Sequence, residues 1–380
     1  MKSQNFDIDD SDIEQKKNIQ RIKVLITGPD LKDPGGVSNY YSTILPLLRK
    51  KNNLSITYLP IGGTYAKGKK GHLLKDQIRF RDAIKINKTS VVLINPSLNF
   101  KSFFRDMFFI RTALISGNKV VVFFRGWEWP FARFVEKYLK KILLLYYGKS
   151  SKIIVLSTEF SEQLQRCGVD IPIEIETTTV PLEYIINKLE MPRILETRRK
   201  GPRKILFMSR LVKEKGAHET VDALKLLLDK GYDVQLTIAG EGPEAGNIQK
   251  KIVLLGLQER VLMAGYLRGK NKIKALYEHS IFCFPTRYGE GMPNAILEAM
   301  GAGLVIVTTS VGGIKDFFED EKMGTLVLSN ALDIDNRLEW VLDDDHRLEA
   351  IGKYNSEFAR KNFASDVVTD RLAKILLNVA

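Results

Sequence analysis

The segment IFCFPTRYGEGMPNAILEAMGAGLVIVTT, residues 281–309, places a helical pattern between two apolar runs. The runs IFCFP and LVIVTT are almost continuously apolar, which is typical of strands that are covered on both faces of a parallel sheet. Pro293 suits the first position of a helix, and the glycines of MGAG suit its end. The segment therefore predicts a strand–helix–strand unit of an α/β fold.

The same alternation continues in both directions along the chain. Six β-branched runs precede a charged, proline-bearing stretch, and the alternation restarts at Lys204. Two such series predict two doubly wound, Rossmann-like domains that face each other across a cleft. The predicted units are a flexible polar tail at 1–19, an N-terminal domain at 20–182, a linker at 183–203, a C-terminal domain at 204–362 and a terminal helix at 363–380 that packs back on the N-terminal domain.

The composition is that of a globular protein, with 44% hydrophobic and 27% charged residues among 380. The two distant cysteines, Cys167 and Cys283, exclude a disulfide framework, and the N-terminus lacks the apolar core of a signal peptide, so we expect a cytoplasmic location. The net charge of +13 predicts anionic partners. Because no helix-turn-helix, RNP or zinc pattern is found, we expect no nucleic acid and favour a membrane surface or a nucleotide-linked ligand.

Two carboxylates, Glu290 and Glu298, flank the start of the predicted helix in the first segment. Glu290 lies beside the free N–H groups of the first turn, and Glu298 lies about 7–8 Å along the axis from Pro293. A sugar at Glu290, a diphosphate at the N–H groups and a ribose at Glu298 would follow the order of groups in a nucleotide sugar. The alternative is a surface glutamate and a glutamate that complements the helix dipole.

A basic pair opens the C-terminal domain in SRLVKEKGAHETVDALKLL. Arg210 and Lys215 follow a predicted strand and precede a helix that begins near Gly216. Two cations beside a helix N-terminus suit a diphosphate. A solvated basic loop is the alternative.

Glycine-rich turns follow other predicted strands. Gly35 and Gly36 precede Val37 in the first turn, and Gly240 and Gly242 lie in the turn AGEGPE. Such glycines let a helix N-terminus approach a ligand, although glycines at strand–helix turns are often only steric.

Together these segments resemble retaining glycosyltransferases of the GT-B fold, in the family-four group (glycosyl transferases group 1). The resemblance rests on SRLVKEKG, AGEGPE, FPTRYGEGMPNAILEAMGAG and VTTSVGGIKDFFED within residues 204–330, and on GGVSNY near the start. It implies transfer of a hexose from a nucleotide diphosphate sugar to a glycan, lipid-linked or other glycoconjugate acceptor, in polysaccharide or cell-envelope biosynthesis. It also implies that neither a metal nor a cofactor is required.

The resemblance assigns roles to particular residues. It implies that Arg210 and Lys215 hold the donor diphosphate, that Glu290 lies near the donor sugar, and that Glu298 binds the ribose. The other donor-binding residues that we expect are Gly35, Gly36, Val37, Gly240, Gly242, Gly291, Met292, Pro293 and Asn294.

Arg125 departs from the family pattern. It stands in FFRGWEWPF, where many relatives carry a histidine in an HG or HD turn near the donor sugar. Arginine stays charged and cannot act as a base, so the histidine's role does not transfer to it. We count Arg125 with Arg210, Lys215 and Glu290 as a candidate catalytic residue that binds an anionic acceptor, a carboxylated sugar or a phosphate.

Two basic aromatic stretches, at 99–116 and 131–152, predict amphipathic helices. They could lie on an anionic membrane at its inner face, or they could be ordinary core helices.

Two other functions stay open. A noncatalytic GT-B module that binds a glycan or a partner transferase is favoured by the loss of the histidine. A sugar-nucleotide epimerase or phosphorylase is disfavoured by the basic pair and the E-x7-E spacing.

Overall fold

The structure, a computed structural model, describes residues 21–33, 35–62, 72–289 and 291–380. Two parallel sheets of six strands each form the centres of two domains. This architecture confirms the α/β fold with two doubly wound domains that the alternating apolar runs predict. The tail predicted at 1–19 lies outside the described residues.

The N-terminal sheet has the strand order β2-β1-β3-β5-β7-β8. Its central strands are apolar on both sides and fully buried, because helices cover both faces of the sheet. Its strands are β1 Ile22–Gly28, β2 Leu54–Pro60, β3 Val91–Ile94, β5 Lys119–Phe123, β7 Lys152–Val155 and β8 Ile173–Ile175. A separate small sheet pairs β4 Ser97–Leu98 with β6 Gly126–Trp127.

The C-terminal sheet has the strand order β11-β10-β9-β12-β13-β14. Its strands are β9 Arg203–Met208, β10 Val234–Ala239, β11 Val261–Gly265, β12 Ile281–Phe284, β13 Val305–Thr308 and β14 Gly324–Leu326. The strand order reverses between β9 and β12. The loops that leave these two strands therefore flank a crevice, which is where open α/β sheets bind ligands.

Helices cover both sheets. In the N-terminal domain they are α1 Gly36–Arg49, α2 His72–Asn87, α3 Phe100–Ile115, α4 Trp129–Phe134, α5 Lys140–Tyr146 and α6 Thr158–Arg166. The helices that follow are α7 Met191–Arg199, α8 Ala217–Asp229, α9 Ala245–Leu254, α10 Gly269–Glu278, α11 Asn294–Gly301, α12 Ala331–Leu342, α13 Asp345–Asn362 and α14 Ser365–Val379. Within the described ranges, none of the helices combines the length and the apolar character needed to cross a membrane.

The segment at 183–203 differs from a simple linker. It contains α7, and Met191 and Leu195 of that helix are buried in the core of the C-terminal domain. Pro192 does not break the helix, because it lies in the first turn, where proline is tolerated. The polar composition of this stretch reflects the outer face of α7.

The chain crosses between the domains twice. Val180 follows β8 and is already buried in the C-terminal core, where it forms a parallel bridge with Ala364. The chain returns through α14, which packs on α1 and buries Leu372 and Leu376 in the N-terminal core. The two crossing segments are adjacent, because the bridge between Val180 and Ala364 joins them. They bound one end of the cleft between the two domains.

Candidate functional site

The loops after β9 and β12 approach each other closely at the point of strand-order reversal. Gly216 has a positive φ of 84°, and a Cβ at this position would lie 2.6 Å from the carbonyl oxygen of Pro285. The N–H of Arg287 donates to the carbonyl oxygen of Glu214 at 2.7 Å. Glycine at 216 is therefore needed for the loop that carries Lys215 to dock on the loop after β12.

Lys215 is buried at this junction, with only 8% of its surface exposed. Its Nζ lies 4.4 Å from the centroid of the Tyr288 ring and 5.4 Å from that of the Phe284 ring. The 3-10 turn Lys213–Lys215 and the left-handed Gly216 lead directly into α8. The ammonium group thus lies in a desolvated position beside a helix N-terminus, which strengthens its attraction for an anion.

Arg210 lies on the same loop, nearer to β9, and is exposed. Its loop is seated on the turn after β10, where the N–H of Leu211 donates to the carbonyl oxygen of Glu241 at 2.9 Å. A Cβ on Gly240 would overlap the carbonyl oxygen of Ser209, and one on Gly242 would overlap that of Leu211. These glycines therefore have a packing role, and ligand contact by them stays a prediction.

The helix after β12 starts one residue later than the sequence predicts. Pro293 is not its first helical residue: it has an extended backbone, with φ of −76° and ψ of 105°, and α11 begins at Asn294. Among the described residues no side chain caps this N-terminus. The glycine at 303, with φ of 66°, follows the end of the helix as predicted. Glu290 lies outside the described residues.

Glu298 lies one turn inside α11 and is buried, with 7% of its surface exposed. Its two carboxylate oxygens accept from the Nζ of Lys272, each at 2.7 Å. Burial raises the pKa of Glu298, and the neighbouring Lys272 ammonium opposes this rise. Sequence reasoning missed Lys272, since it lies on α10 and nothing in the pattern of GYLRGKNKIK singles it out.

A cavity of about 490 Å³ opens beside Glu298 between the two domains. From the C-terminal domain its lining includes Tyr266, Lys272 and Asn294, and from the N-terminal domain it includes Asn39 and Tyr40. Aromatic rings, a carboxylate and its lysine suit a nucleoside, because a ring can stack on a base while the carboxylate accepts from a diol.

A second cavity, of about 310 Å³, adjoins the first, and Asn294 lines both. Of the predicted site residues, the structure places Gly36, Val37, Arg125, Gly291, Met292 and Asn294 in the lining of this second cavity. Tyr288, which contacts Lys215, also lines it. A Cβ on Gly36 would lie 3.5 Å from the Nδ2 of Asn294, so the glycine turn of one domain faces the start of α11 in the other.

The predicted residues therefore fall into two groups. Glu298, Asn294 and the loop after β12 form one continuous crevice with Gly36, Val37 and Arg125, and Lys215 adjoins it through Tyr288. Arg210, Gly35, Gly240, Gly242 and Pro293 do not line either cavity. Within the described ranges, no three His, Cys, Asp or Glu side chains are grouped as a metal site would require.

The fold and the crevice define a class of protein. Two Rossmann-like domains that face across a ligand crevice form the GT-B fold of glycosyltransferases. HepE of Anabaena, solved in complex with UDP, matches with a TM-score of 0.73 at 14% identity, covering 94% of this chain and 100% of that chain. Sucrose-phosphate synthase of Thermosynechococcus elongatus matches with a TM-score of 0.72 at 14% identity, covering 94% and 99%. At these identities the likeness shows the fold alone.

Residues 193–358 match the pattern of the family glycosyl transferases group 1. WcaL of Escherichia coli (strain K12), whose name provisionally assigns it to colanic acid biosynthesis as a glycosyltransferase, is 30% identical over 184 residues. CapM of Staphylococcus aureus, named as a capsular polysaccharide biosynthesis glycosyltransferase, is 26% identical over 168 residues. The match to WcaL covers 46% of this chain and 45% of the relative, and the match to CapM covers 44% and 43%. The chain therefore matches less than half the length of these curated relatives.

Proposed function

We propose that the chain is a retaining glycosyltransferase. It moves a hexose from a nucleoside diphosphate sugar to a glycan, lipid-linked or other glycoconjugate acceptor, in polysaccharide or cell-envelope biosynthesis. The observation that carries the proposal is that Glu298 and the start of α11 line one interdomain crevice, which Lys215 adjoins through its contact with Tyr288.

The spacing of these groups supports a nucleoside diphosphate. Asn294 and Glu298 are separated by about 6 Å along the helix axis, at 1.5 Å per residue. A diphosphate at the start of α11 would be near the Lys215 ammonium, and a ribose diol one turn further on would reach the carboxylate of Glu298. The nucleoside would then occupy the larger cavity, and the sugar would occupy the smaller one.

The proposed chemistry consists of positioning and electrostatic stabilisation. As the glycosidic C–O bond breaks, negative charge develops on the leaving diphosphate. The Lys215 ammonium and the N–H groups of α11 are held in place before the reaction, so they stabilise that charge without reorganisation, and the exposed Arg210 guanidinium would add a second cation. We propose same-face attack by the acceptor, with the leaving phosphate assisting its deprotonation, and neither an amino-acid nucleophile nor a metal.

The experiment is a donor panel with UDP-, GDP-, ADP- and dTDP-hexoses, with and without candidate glycan and lipid-linked acceptors. We expect one nucleoside diphosphate to be released faster when an acceptor is present, and NMR of the product to show the anomeric configuration of the donor. Inverted product would contradict the retaining mechanism. Absence of binding and of turnover with every donor would contradict the function.

The surface around the smaller cavity supports a membrane-bound acceptor. Phe104, Phe100, Phe131, Phe134 and Tyr138 form an aromatic row, in which successive ring centroids are 5.0 to 6.2 Å apart. Phe100 and Tyr138 are 64% and 61% exposed. An exposed apolar row of this length marks an interaction surface rather than scattered surface residues.

Cations flank the aromatic row and suit an anionic surface. The exposed ones are Lys101, Arg133, Lys137, Lys140 and Lys141. The helices α3 and α4, which carry all of these rings except Tyr138, begin directly after Asn99 and Glu128, which line the smaller cavity. We therefore propose that the protein acts in the cytoplasm, with the aromatic row on the anionic inner face of a membrane that presents the acceptor.

Sedimentation with vesicles tests this placement. We expect binding to phosphatidylglycerol vesicles at low salt, weaker binding to phosphatidylcholine vesicles, and a loss of binding in the double variant Phe100→Ser, Tyr138→Ser. Leu254→Ser is the control, because Leu254 is a large apolar residue that is 85% exposed but lies on the C-terminal domain. Equal binding to both kinds of vesicle, or an equal loss in the control, would contradict the membrane surface.

A noncatalytic GT-B module is the second candidate, and the arginine in the usual histidine position favours it. The donor panel separates the two functions. Nucleotide binding without turnover, under every acceptor condition, would support the module.

A further inference from the structure

Arg125 reaches the smaller cavity from the carboxyl end of the N-terminal sheet, two residues beyond the end of β5. Its guanidinium carbon lies 3.9 Å from the centroid of the Tyr40 ring and 4.2 Å from that of the Phe123 ring. Both rings are buried. This stacking holds the planar group in place, since arginine binds well over aromatic faces.

The hydrogen-bonding capacity of this guanidinium is only partly used. Its Nε and Nη1 are both buried, and neither has a hydrogen-bond partner among the described residues. Buried polar groups are normally hydrogen-bonded, and buried charges are normally paired. Aromatic faces stabilise the charge but accept no conventional hydrogen bond along the N–H directions.

Three other buried polar atoms that have no hydrogen-bond partner in the described part of the chain belong to residues that line the same cavity. They are the Nε1 of Trp127, the Oγ1 of Thr178 and the Oδ1 of Asn294. The indole and the guanidinium can only donate, whereas the amide oxygen accepts and the hydroxyl does both. The unused donors therefore match anionic oxygens, and the unused acceptors match hydroxyl groups.

We propose that Arg125 binds the carboxylate or phosphate of an acidic sugar in this cavity, so that the enzyme acts on an acidic carbohydrate. The inference rests on the proposed function and names its substrate class. The Nε and Nη1 N–H groups lie on different edges of the guanidinium, so one anionic group takes a single charge-assisted hydrogen bond from either of them, in addition to the attraction of the positive charge. The neighbouring Trp127, Thr178 and Asn294 line the same cavity and then take the hydroxyls of the sugar.

The anionic group has two chemical sources. It belongs either to a transferred uronic acid, in which a carboxylate replaces the sugar's CH₂OH, or to an acceptor that carries a carboxylate or a phosphate next to its reacting hydroxyl. The two sources present the same oxygens to Arg125, so they are separated by experiment.

The first arm of the test varies the donor. Matched pairs that differ in this one group, UDP-glucose against UDP-glucuronate and GDP-mannose against GDP-mannuronate, are titrated by calorimetry into the wild type, Arg125→Gln and Arg125→Lys. If the donor is the source, we expect the wild type to prefer the acidic member about tenfold or more, as for one charge-assisted contact. The preference disappears in Arg125→Gln and is partly kept in Arg125→Lys.

The second arm varies the acceptor, with the donor held constant. Paired acceptors with and without the acidic group are compared by the KM of transfer, and a preference of the same size is expected if the acceptor is the source. Arg81→Gln is the control for both arms, since Arg81 is exposed on α2 of the same domain and lines neither cavity. It should behave as the wild type does.

The outcomes separate this inference from the function on which it rests. An acid preference in either arm that Arg125→Gln abolishes and Arg81→Gln keeps supports the inference. Equal discrimination by the wild type and a folded Arg125→Gln or Arg125→Lys variant in both arms overturns it, even if both bind UDP or GDP. A wild type that binds no nucleoside diphosphate overturns the proposed function itself.

Discussion

Replacing Lys215 by methionine removes a buried charge while keeping most of the side chain's volume. The ammonium lies 4.4 Å from the Tyr288 ring centroid, and the loop that carries it is fixed by the contact of Gly216 with Pro285. The methionine stem can fill the same space between the rings. We therefore expect the charge, rather than the packing, to be what the variant loses.

The magnitude follows from the position of the charge. A unit cation about 4 Å from a unit negative charge contributes roughly 4 kcal/mol at an effective dielectric constant of 20. Removal of one preorganised stabilising group lowers kcat by about 10²–10³-fold, which is the same range. The lost cation–π contact amounts to about 0.5–2 kcal/mol, so Tm should fall by only a few degrees.

The assay is nucleoside diphosphate release at saturating donor and acceptor, with Tm measured on the same samples. Lys213→Met is the matched control, because Lys213 lies in the same 3-10 turn but is exposed. We expect the control to keep its kcat within about twofold, the range of surface substitutions. A Lys215→Met variant that is folded and keeps the wild-type kcat would refute the role of this lysine in stabilising the leaving diphosphate.

Three further predictions concern Glu298, Gly240 and His279. Glu298→Gln should weaken nucleoside diphosphate binding about tenfold in calorimetry, whereas the control Glu278→Gln should bind as the wild type does. Equal affinities of the wild type and Glu298→Gln would show that Glu298 does not bind the nucleotide. Gly240→Ala should abolish soluble folded protein, because the φ of Gly240 is 146° and a Cβ there would overlap a backbone carbonyl oxygen. The control is Gly246→Ala, which lies in open space within α9 and should leave stability unchanged or slightly raised. A Gly240→Ala variant with the wild-type Tm would contradict this prediction. Burial lowers the pKa of His279 from 6.5 to about 4. Between pH 6.5 and pH 4 the unfolded chain therefore binds more protons than the folded protein does. The free energy of unfolding that the neutral imidazole contributes is complete above pH 6.5 and is lost progressively as the pH falls towards 4. Urea unfolding should show a loss of about 2 kcal/mol between pH 7 and pH 5 that is absent in His279→Gln, and equal losses in both proteins would show that His279 is not the titrating group.

The sequence was sufficient for the fold because nearly every strand of the two sheets is a short apolar run with helical patterns between. The exception is β14, Gly324–Leu326, which was not predicted because it is short and begins with glycine. The run KILFMSRL and the run IFCFP lie at β9 and β12, and their adjacency places the loop with Lys215 and the helix with Glu298 at one edge of the sheet. The residue types alone were enough to predict that these two segments meet, because parallel strands bring their carboxyl ends to the same edge of a sheet.

The pairing of Lys272 with Glu298 could not be predicted, because the two residues lie on separate helices and their distance depends on how those helices pack. The same reason applies to the convergence of Trp127 and Thr178 with Asn294, which come from both domains. The burial of Lys215 also depends on the approach of two loops. The start of α11 was misplaced by one residue, because a proline before a helix satisfies the same local preference as a proline in its first turn.

The position of a bound nucleoside diphosphate sugar tests the central claim most directly. A crystal structure of the complex should place diphosphate oxygens within hydrogen-bonding distance, about 3 Å, of Lys215 and the first N–H groups of α11, with the ribose hydroxyls on Glu298. A nucleotide bound instead at the opposite edge of the C-terminal sheet, in the cavity beside His279, would contradict the account.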